Sequence, residues 1–398
     1  MRMEWVNADM ERVMIGNESV RWRKFMQLLE PALPNQVSNI RREEIDIVGP
    51  FDGKINTIYR IKAAHSNKIP NLIFRARISS AFRYENVVKE KILFPILNGK
   101  LKLQDNDNLN QDIKNITNKK EGSYIFPADA PPIIPVQDLY YYNETRQQIP
   151  YMYSILSYAR GISLHDFIEK NGVNGANAND LDPKSREIVE HAFNEAGRFL
   201  GRLHEIEFPG FHESILDIGD ESRMVDWKEL FFSRVDDLLD EASRHALMEP
   251  IISRLRAYFR EYESLIPDEE TAVLFHNDYQ PQNFIMDPST GSINAVIDFD
   301  NWQIGPREQD FIKIQYWGLR DLDPAFSRKF LEGYGEFHDM GGDFQKKVDL
   351  YKMQWFILVF NIEMDKILKR EKNATVDSRF PSAGQYIEEI TKILDQTS

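Results

Sequence analysis

His276, Asp278 and Asn283 follow one another as His-x-Asp-x4-Asn, and a second acidic pair, Asp298 and Asp300, closes the run Ile297-Asp-Phe-Asp300 further on. The order and the residue types suit phosphoryl transfer. One carboxylate, Asp278, accepts or orients the proton of an attacking hydroxyl. The carboxamide oxygen of Asn283 and the carboxylate of Asp298 are hard oxygen donors of the kind magnesium takes. A magnesium ion held against nucleotide phosphates disperses the charge that develops on the transferred group. An isolated Asp-x4-Asn is weak evidence, because both residues are common in turns. The preceding histidine, the hairpin pattern that follows and the second Asp make the signal specific. His276 is read as a buttress of the loop.

The elements that must position these groups can be read from the same stretch. A strand-like run, Leu274-Phe-His276, leads into a short loop that turns Asp278 outward. The turn at Gln280-Pro281 brings Asn283 back beside it. A hairpin of Asn283–Asp287 and Ile293–Asp298, joined by a turn at Pro288–Gly291, then returns Asp298 to the same end. The two acids and the carboxamide are therefore expected to converge around a divalent ion, at the cleft joining a sheet-rich half to a helical half.

Upstream, the charged first 45 residues hold an amphipathic helix from Val20. Two β-rich runs within Ile45–Ile61 flank a turn containing Gly49, Pro50, Asp52 and Gly53. A third strand spans Asn71–Ile78, in which Leu72, Phe74 and Ala76 alternate with Ile73, Arg75 and Arg77, so that both arginines share one face. A helix is expected over Arg83–Leu97 despite Pro95. Residues 101–124 are polar without a regular apolar period and read as an insertion or mobile loop. Two further strands lie at Gln137–Tyr142 and Tyr151–Tyr158, and Gly161 marks a turn. Beyond it the chain is mainly helical, at 164–170, 186–206, 226–242, 246–264, 308–318, 324–336, 344–367 and 383–395. Strands early and helices late predict an α+β chain in two lobes. The expected domains are an N-terminal lobe over residues 1–156, with its leading helix and the polar insertion, and a C-terminal lobe over residues 157–398. No internal repeat is found.

Composition narrows the chemistry. The chain has 398 residues, 42% of them hydrophobic, which is enough to bury a core and excludes a disordered or collagen-like chain. It has no cysteine, which removes thiolate nucleophiles, disulfides and cysteine-ligated metal centres. A balance of 49 Lys+Arg against 63 Asp+Glu leaves a formal charge of −14, a field that opposes nucleic acid and anionic lipid and favours cationic ligands. No apolar run has the length of a membrane helix, and the first residues lack the apolar core of a secretory signal. The expectation is a soluble, cytoplasmic protein without a nucleic-acid or membrane partner. Its oligomeric state is not legible.

His276-Asn-Asp-Tyr-Gln-Pro-Gln-Asn283 resembles the His-Gly-Asp-x4-Asn catalytic loop of the aminoglycoside phosphotransferase and choline kinase-like family, a branch of the protein-kinase-like fold. Ile297-Asp-Phe-Asp300 is similar to that family's metal motif. Ile304–Asp310, Leu200-Gly-Arg-Leu-His204 and Phe330-Leu-Glu-Gly-Tyr334 resemble further family segments, so the likeness covers about residues 45–370. Asn277 stands where the family usually has glycine. The resemblance implies a bilobal α+β protein-kinase-like fold, with an N-terminal antiparallel sheet lobe and a larger, mainly helical C-terminal lobe. It implies Asp278 as catalytic base, Asn283 and Asp298 as magnesium ligands, and ATP or GTP as phosphoryl donor. Asp310 is read as an acceptor of hydrogen bonds between loops.

On the nucleotide side, Gly53-Lys-Ile-Asn56 resembles a hairpin that covers phosphates, and an ordinary β-turn is the equal alternative. Leu-Ile-Phe-Arg75 is similar to the strand carrying the phosphate-binding base. This puts Arg75 where kinases usually have lysine, with Arg77 as the alternate and a solvent-facing strand arginine as the bland reading. The resemblance assigns Glu90 as its ion-pair partner, with Glu85 the fallback. Ser157, Tyr158 and Ala159 fall where backbone groups would meet a purine edge. For the acceptor, the resemblance points to the segment after Asp298 and to the later helices. The choices there are Asp300, Trp302, Glu308 and Trp317, with Asn301, Tyr316, Glu363 and Asp365 also in range. Carboxylates walled by aromatic rings would suit an amino or quaternary-ammonium group. The resulting expectation is a kinase that moves the γ-phosphoryl group to a hydroxyl of a small, cationic acceptor such as an aminoglycoside or amino alcohol. The alternatives are a catalytically silent kinase-like binding protein and, more weakly, a protein kinase.

Overall fold

Alternation along one strand sets the architecture of the N-terminal part. In a computed structural model of the chain, Leu72, Phe74 and Ala76 are fully buried on one face of Leu72–Arg77, while Arg75 and Arg77 are buried on the other. The arginines do not face solvent, because acidic partners cover them. The structure describes residues 18–31, 45–52, 56–63, 71–77, 84–97, 106–119, 121–122, 132–171, 182–268, 270–370 and 382–396. The loop Gly53-Lys-Ile, expected to cover phosphates, lies outside these residues.

The chain divides into two units. The first comprises the residues up to Asn174 together with Asp180–Ala196 and Pro281–Asn301. The second comprises Gly175–Asn179, Gly197–Gln280 and the chain from Trp302 onward. In the first unit, six strands form one sheet: β1 (Ile45–Asp52), β2 (Asn56–Ala63), β3 (Leu72–Arg77), β4 (Glu121–Gly122), β5 (Leu139–Asn143) and β6 (Met152–Ser157). Their order is β1-β2-β3-β6-β5-β4, and every neighbouring pair is antiparallel. Phe74 pairs across the sheet with Tyr59 and Ile155. Its ring stacks on Tyr153 at 5.3 Å and meets Phe25 of the helix Glu18–Leu29 edge-on at 5.8 Å. That helix buries Phe25, Met26, Leu28 and Leu29 against the sheet. Each such side chain is worth about 1.5–3 kcal/mol when fully withdrawn from water.

One element differs from the sequence expectation. Residues Asn106–Asn118, within the stretch read as a loop, form a helix. Leu109 and Ile113 are buried one turn apart and Ile116 is half-buried a further turn on, so the apolar stripe is real but only three residues long. The helix packs on Tyr84–Leu97. Its end is anchored by the carbonyl of Lys119, which accepts from Lys91 Nζ at 2.8 Å and from the Tyr142 hydroxyl at 3.0 Å. Ten polar residues hide that pattern in sequence, and tertiary partners decide the conformation.

The first unit also holds a small sheet in which Phe284–Met286 pairs with Ile293–Val296 on one side and Ile162–Ser163 on the other. Gly291 (φ +83°) ends the turn, and a Cβ there would stand 2.4 Å from the Ile188 carbonyl, so only glycine fits. The second unit is mostly helical, with helices Trp227–Ala242, Ile252–Glu261, Pro324–Gly335, Phe344–Arg370 and Ala383–Gln396. Asp226 caps the first of these by accepting from Glu229 N at 2.7 Å. Asp323 caps the third by accepting from Ala325 N at 2.8 Å, with Pro324 in the first turn. The expected early antiparallel sheet and later helices are thus observed. Among the described residues no helix is long and apolar enough to cross a membrane.

Candidate active site

The segment carrying Asp278 belongs to the second unit. Strand Val273–Phe275 pairs antiparallel with Gln303–Gly305, and Leu274 N donates to the Ile206 carbonyl at 2.9 Å on its other side. Held between two neighbours, the strand delivers its last residue into a buried turn. His276 is fully buried, and its N–H donates to Asp310 Oδ2 at 2.7 Å. The next N–H, of Asn277, donates to Asp310 Oδ1, also at 2.7 Å. Asp310 is therefore the inter-loop acceptor that the sequence leads one to expect. It also faces His204 Nε2 at 3.2 Å, and His204 Nδ1 lies 3.0 Å from the Tyr334 hydroxyl. Burial lowers the pKa of His204, and it raises that of Tyr334. The neutral imidazole then donates to the carboxylate and accepts from the phenol. His276 closes the turn by accepting, at Nδ1, the Asp278 N–H at 3.2 Å.

Asn277 adopts φ +59°, in the left-handed region. This accounts for an asparagine where related loops carry glycine, since Asn and Gly are the residues that enter this region most cheaply. Asp278 follows with its side chain 17% exposed. Its Oδ1 accepts from Lys313 Nζ at 3.0 Å and from Gln280 Nε2 at 3.0 Å, and Lys313 also donates to the Asn277 carbonyl. Sequence reasoning missed both donors. The available signal for Lys313 was its place one helical turn after Asp310.

In the first unit, the turn Pro281–Asn283 carries Asn283, which is buried, into the hairpin. Phe284 pairs with Val296, and Ile297 N donates to the Asn283 carbonyl at 3.0 Å. That register brings Asn283 and Asp298 to the same end of the hairpin. Asp298 has φ +65°, a conformation Asp tolerates better than most residues and one that clusters at functional sites. The donor chemistry, one carboxamide and one carboxylate oxygen, fits magnesium, which is commonly held by one or two protein groups plus phosphate oxygens. Among the described residues, no group of three or more His, Asp or Glu could hold a metal unaided.

The same unit holds a buried charge cluster. Arg75 pairs with Glu90 and, at 3.2 Å, with Asp300. Arg77 lies 2.5 Å from Glu90 and 3.8 Å from Asp300. Arg75 Nε also donates to Ser154 Oγ at 3.4 Å on the neighbouring strand. Burial, reinforced by the neighbouring Arg75, pushes the Arg77 pKa down to about 10, with Asp300 among the carboxylates that oppose the shift. Two cations and two anions nearly neutralise one another, which is the condition for keeping such groups out of water.

The remaining predicted positions fall as follows. Asn56 opens β2 opposite Arg77. Ser157 ends β6 with its N–H donating to the Asp138 carbonyl at 2.9 Å, its hydroxyl accepting from Asp138 N at 2.8 Å and its carbonyl accepting from Gln137 at 2.7 Å. Tyr158 N–H donates to the Asn71 carbonyl at 3.0 Å, and the Arg60 guanidinium lies 3.6 Å over its ring; Ala159 follows in the same irregular segment. Of the acceptor candidates, Asp300 sits in the arginine cluster of the first unit. The other three lie in the second unit. Trp302 is fully buried, stacked against Phe208 at 6.4 Å. Glu308 is buried with its carboxyl pKa raised by burial, and Lys347 opposes that shift from 4.0 Å. Trp317 is half-buried, edge-on to Trp355 at 5.0 Å.

A sequence-family model described as a phosphotransferase enzyme family (APH) matches residues 128–344, more than half of the chain. No curated protein sequence matches. Among solved structures, the chain is similar to the gentamicin complex of APH(2")-IIa, at 16% identity and a TM-score of 0.52, over 94% of this chain and 96% of the other. It is similar to the GDP complex of aminoglycoside 2'-phosphotransferase-IIIa, at 15% identity and a TM-score of 0.51, over 94% and 96%. It also resembles a choline/ethanolamine kinase family protein from Mesorhizobium loti, at 12% identity and a TM-score of 0.50, over 94% of each chain. These likenesses bear out the expected kinase-like α+β fold.

Proposed function

Since the chain belongs to the phosphotransferase enzyme family, we propose that it transfers the γ-phosphoryl group of ATP or GTP to a hydroxyl of a small molecule. The observation that carries this reading is the hairpin register. Ile297 N bonds the Asn283 carbonyl, which sets an amide oxygen and the Asp298 carboxylate at one end of a rigid element, with the Asp278 segment entering that hairpin directly along the chain. Asn283 and Asp298 are the groups that would hold magnesium, which when bound neutralises phosphate charge and polarises the group to be transferred.

In the reaction, Asp278 orients the acceptor hydroxyl and takes its proton. The acceptor oxygen forms a bond to the γ-phosphorus while the bond from that phosphorus to the bridging oxygen breaks, and the nucleoside diphosphate leaves with the electron pair. Arg75, paired with Glu90 and Asp300, presents its guanidinium group toward the phosphates in the role lysine fills in most kinases, with Arg77 the alternate. The purine edge is met by backbone groups of the segment Ser157–Ala159, in which the N–H groups of Ser157 and Tyr158 already donate to the Asp138 and Asn71 carbonyls.

A second reading, a kinase-like protein that binds nucleotide without transferring phosphate, is favoured by one observation: arginine in place of lysine, closely held by two carboxylates. Magnesium-dependent consumption of ATP or GTP during a screen of hydroxylated metabolites and aminoglycosides separates the two. Turnover abolished by Asp278→Asn and by Asp298→Asn is the expected result. Nucleotide binding without consumption, unchanged in both variants, would support the silent reading.

A further inference from the structure

Resting on the kinase reading, we propose that Lys313 is a specificity-determining residue that selects acceptors carrying an anionic group, a carboxylate or a phosphate, close to the reacting hydroxyl. Its ammonium lies 3.0 Å from Asp278 Oδ1, and the carboxylate and the ammonium side chains are equally exposed, 17% each. A lysine ammonium has three N–H donors. One goes to Asp278 and one to the Asn277 carbonyl, so the third is directed by the two bonds that fix the nitrogen. The lysine is set by backbone geometry rather than held loosely. Asn277 reaches it through a left-handed conformation that Asp310 clamps from the other side of the loop.

This local arrangement reverses the expectation drawn from net charge. A formal charge of −14 is spread over the whole surface and is screened by salt beyond about 8–10 Å. The acceptor hydroxyl, by contrast, must come within hydrogen-bond distance of Asp278, and Lys313 stands bonded to that same carboxylate. An ammonium next to that hydroxyl meets a like charge with little water between them. A carboxylate or phosphate there finds an opposite charge already oriented, and Asp278 is spared as its repulsive neighbour because Lys313 and Gln280 already offset it. The selection is one of attraction to acids combined with repulsion of amines.

A matched panel of alcohols tests this: ethanolamine, glycerol, glycerate and glycerol 3-phosphate, each assayed for nucleotide consumption and for phosphorylated product, with acceptor-free nucleotide hydrolysis measured in parallel. The expected result is a kcat/KM for glycerate or glycerol 3-phosphate at least about tenfold above that for ethanolamine. The two acids distinguish a carboxylate from a phosphate as the recognised group. Lys313→Gln should remove most of that ratio, mainly through a raised KM for the acid, and Lys313→Arg should retain it. A lysine that only buttresses the loop would instead lower kcat for all four alcohols alike. Preference for ethanolamine, an unchanged ratio in Lys313→Gln, or hydrolysis of nucleotide with no use of either acid would each overturn the proposal. Absence of any magnesium-dependent nucleotide consumption would overturn the kinase reading instead.

Discussion

Two sets of opposed charges, one in each unit, show what burial does to an ion pair. In the first unit, Arg75, Arg77, Glu90 and Asp300 are almost fully removed from water and offset one another's charge. In the second, Asp278 and Lys313 keep part of their surface in contact with solvent. The buried set can tolerate no unpaired member, because a stranded charge has neither water nor partner. The partly exposed pair can exchange a partner for a substrate group at small cost. The buried set fixes the geometry of its guanidinium groups, and the partly exposed pair can rearrange around a substrate group.

Asp278→Asn tests that contrast most severely. It should reduce turnover by about 10²–10⁴-fold, the usual worth of a general base, while leaving the thermal midpoint close to wild type. An unfolded Asp278→Asn variant would erase the distinction between the two sets. Glu90→Gln is the converse. It strips one carboxylate from two buried guanidinium groups and should cost about 3–5 kcal/mol of stability in a denaturant titration. A nearly neutral result would mean that the cluster is better hydrated than its burial indicates.

Asp310→Asn should fall just below these, at about 3 kcal/mol, since the carboxylate accepts from two backbone N–H groups and faces His204. Next comes a pH effect. His204 and His212 both have pKa values lowered below 6.5 by burial, so the unfolded chain binds protons that the folded one does not. Stability is then full above about pH 6.5 and declines as the pH falls, by at most about 1.4 kcal/mol per pH unit for each histidine. Thermal melts between pH 7.5 and 5.5 should show the decline, with a shallower slope in His204→Gln. The smallest effect is expected at Asn277. Glycine there should change stability by no more than a few tenths of a kcal/mol, whereas Asn277→Val, forced to positive φ, should cost about 1–2 kcal/mol.

Much of the fold was legible because its signals are local. The alternation of Leu72–Arg77 and the turn at Pro288–Gly291 each act within a few residues. The helix Asn106–Asn118 was not legible, because its short apolar stripe becomes decisive only when Tyr84–Leu97 and the Lys91–Lys119 bond are present. The arginines of β3 were placed on one face by alternation alone. Whether that face met water or acid depended on Glu90 from a following helix and Asp300 from more than two hundred residues away.

The candidate site divides along the same line. Spacing along the chain determined that Asp278, Asn283 and Asp298 lie on a loop and a hairpin, since five-residue loops and two-strand turns have few geometries. Only the tertiary structure decided which charge stands beside Asp278. Lys313 reaches it through a helix that begins after Asp310, and charge at such a point depends on distances in space that no spacing along a chain encodes.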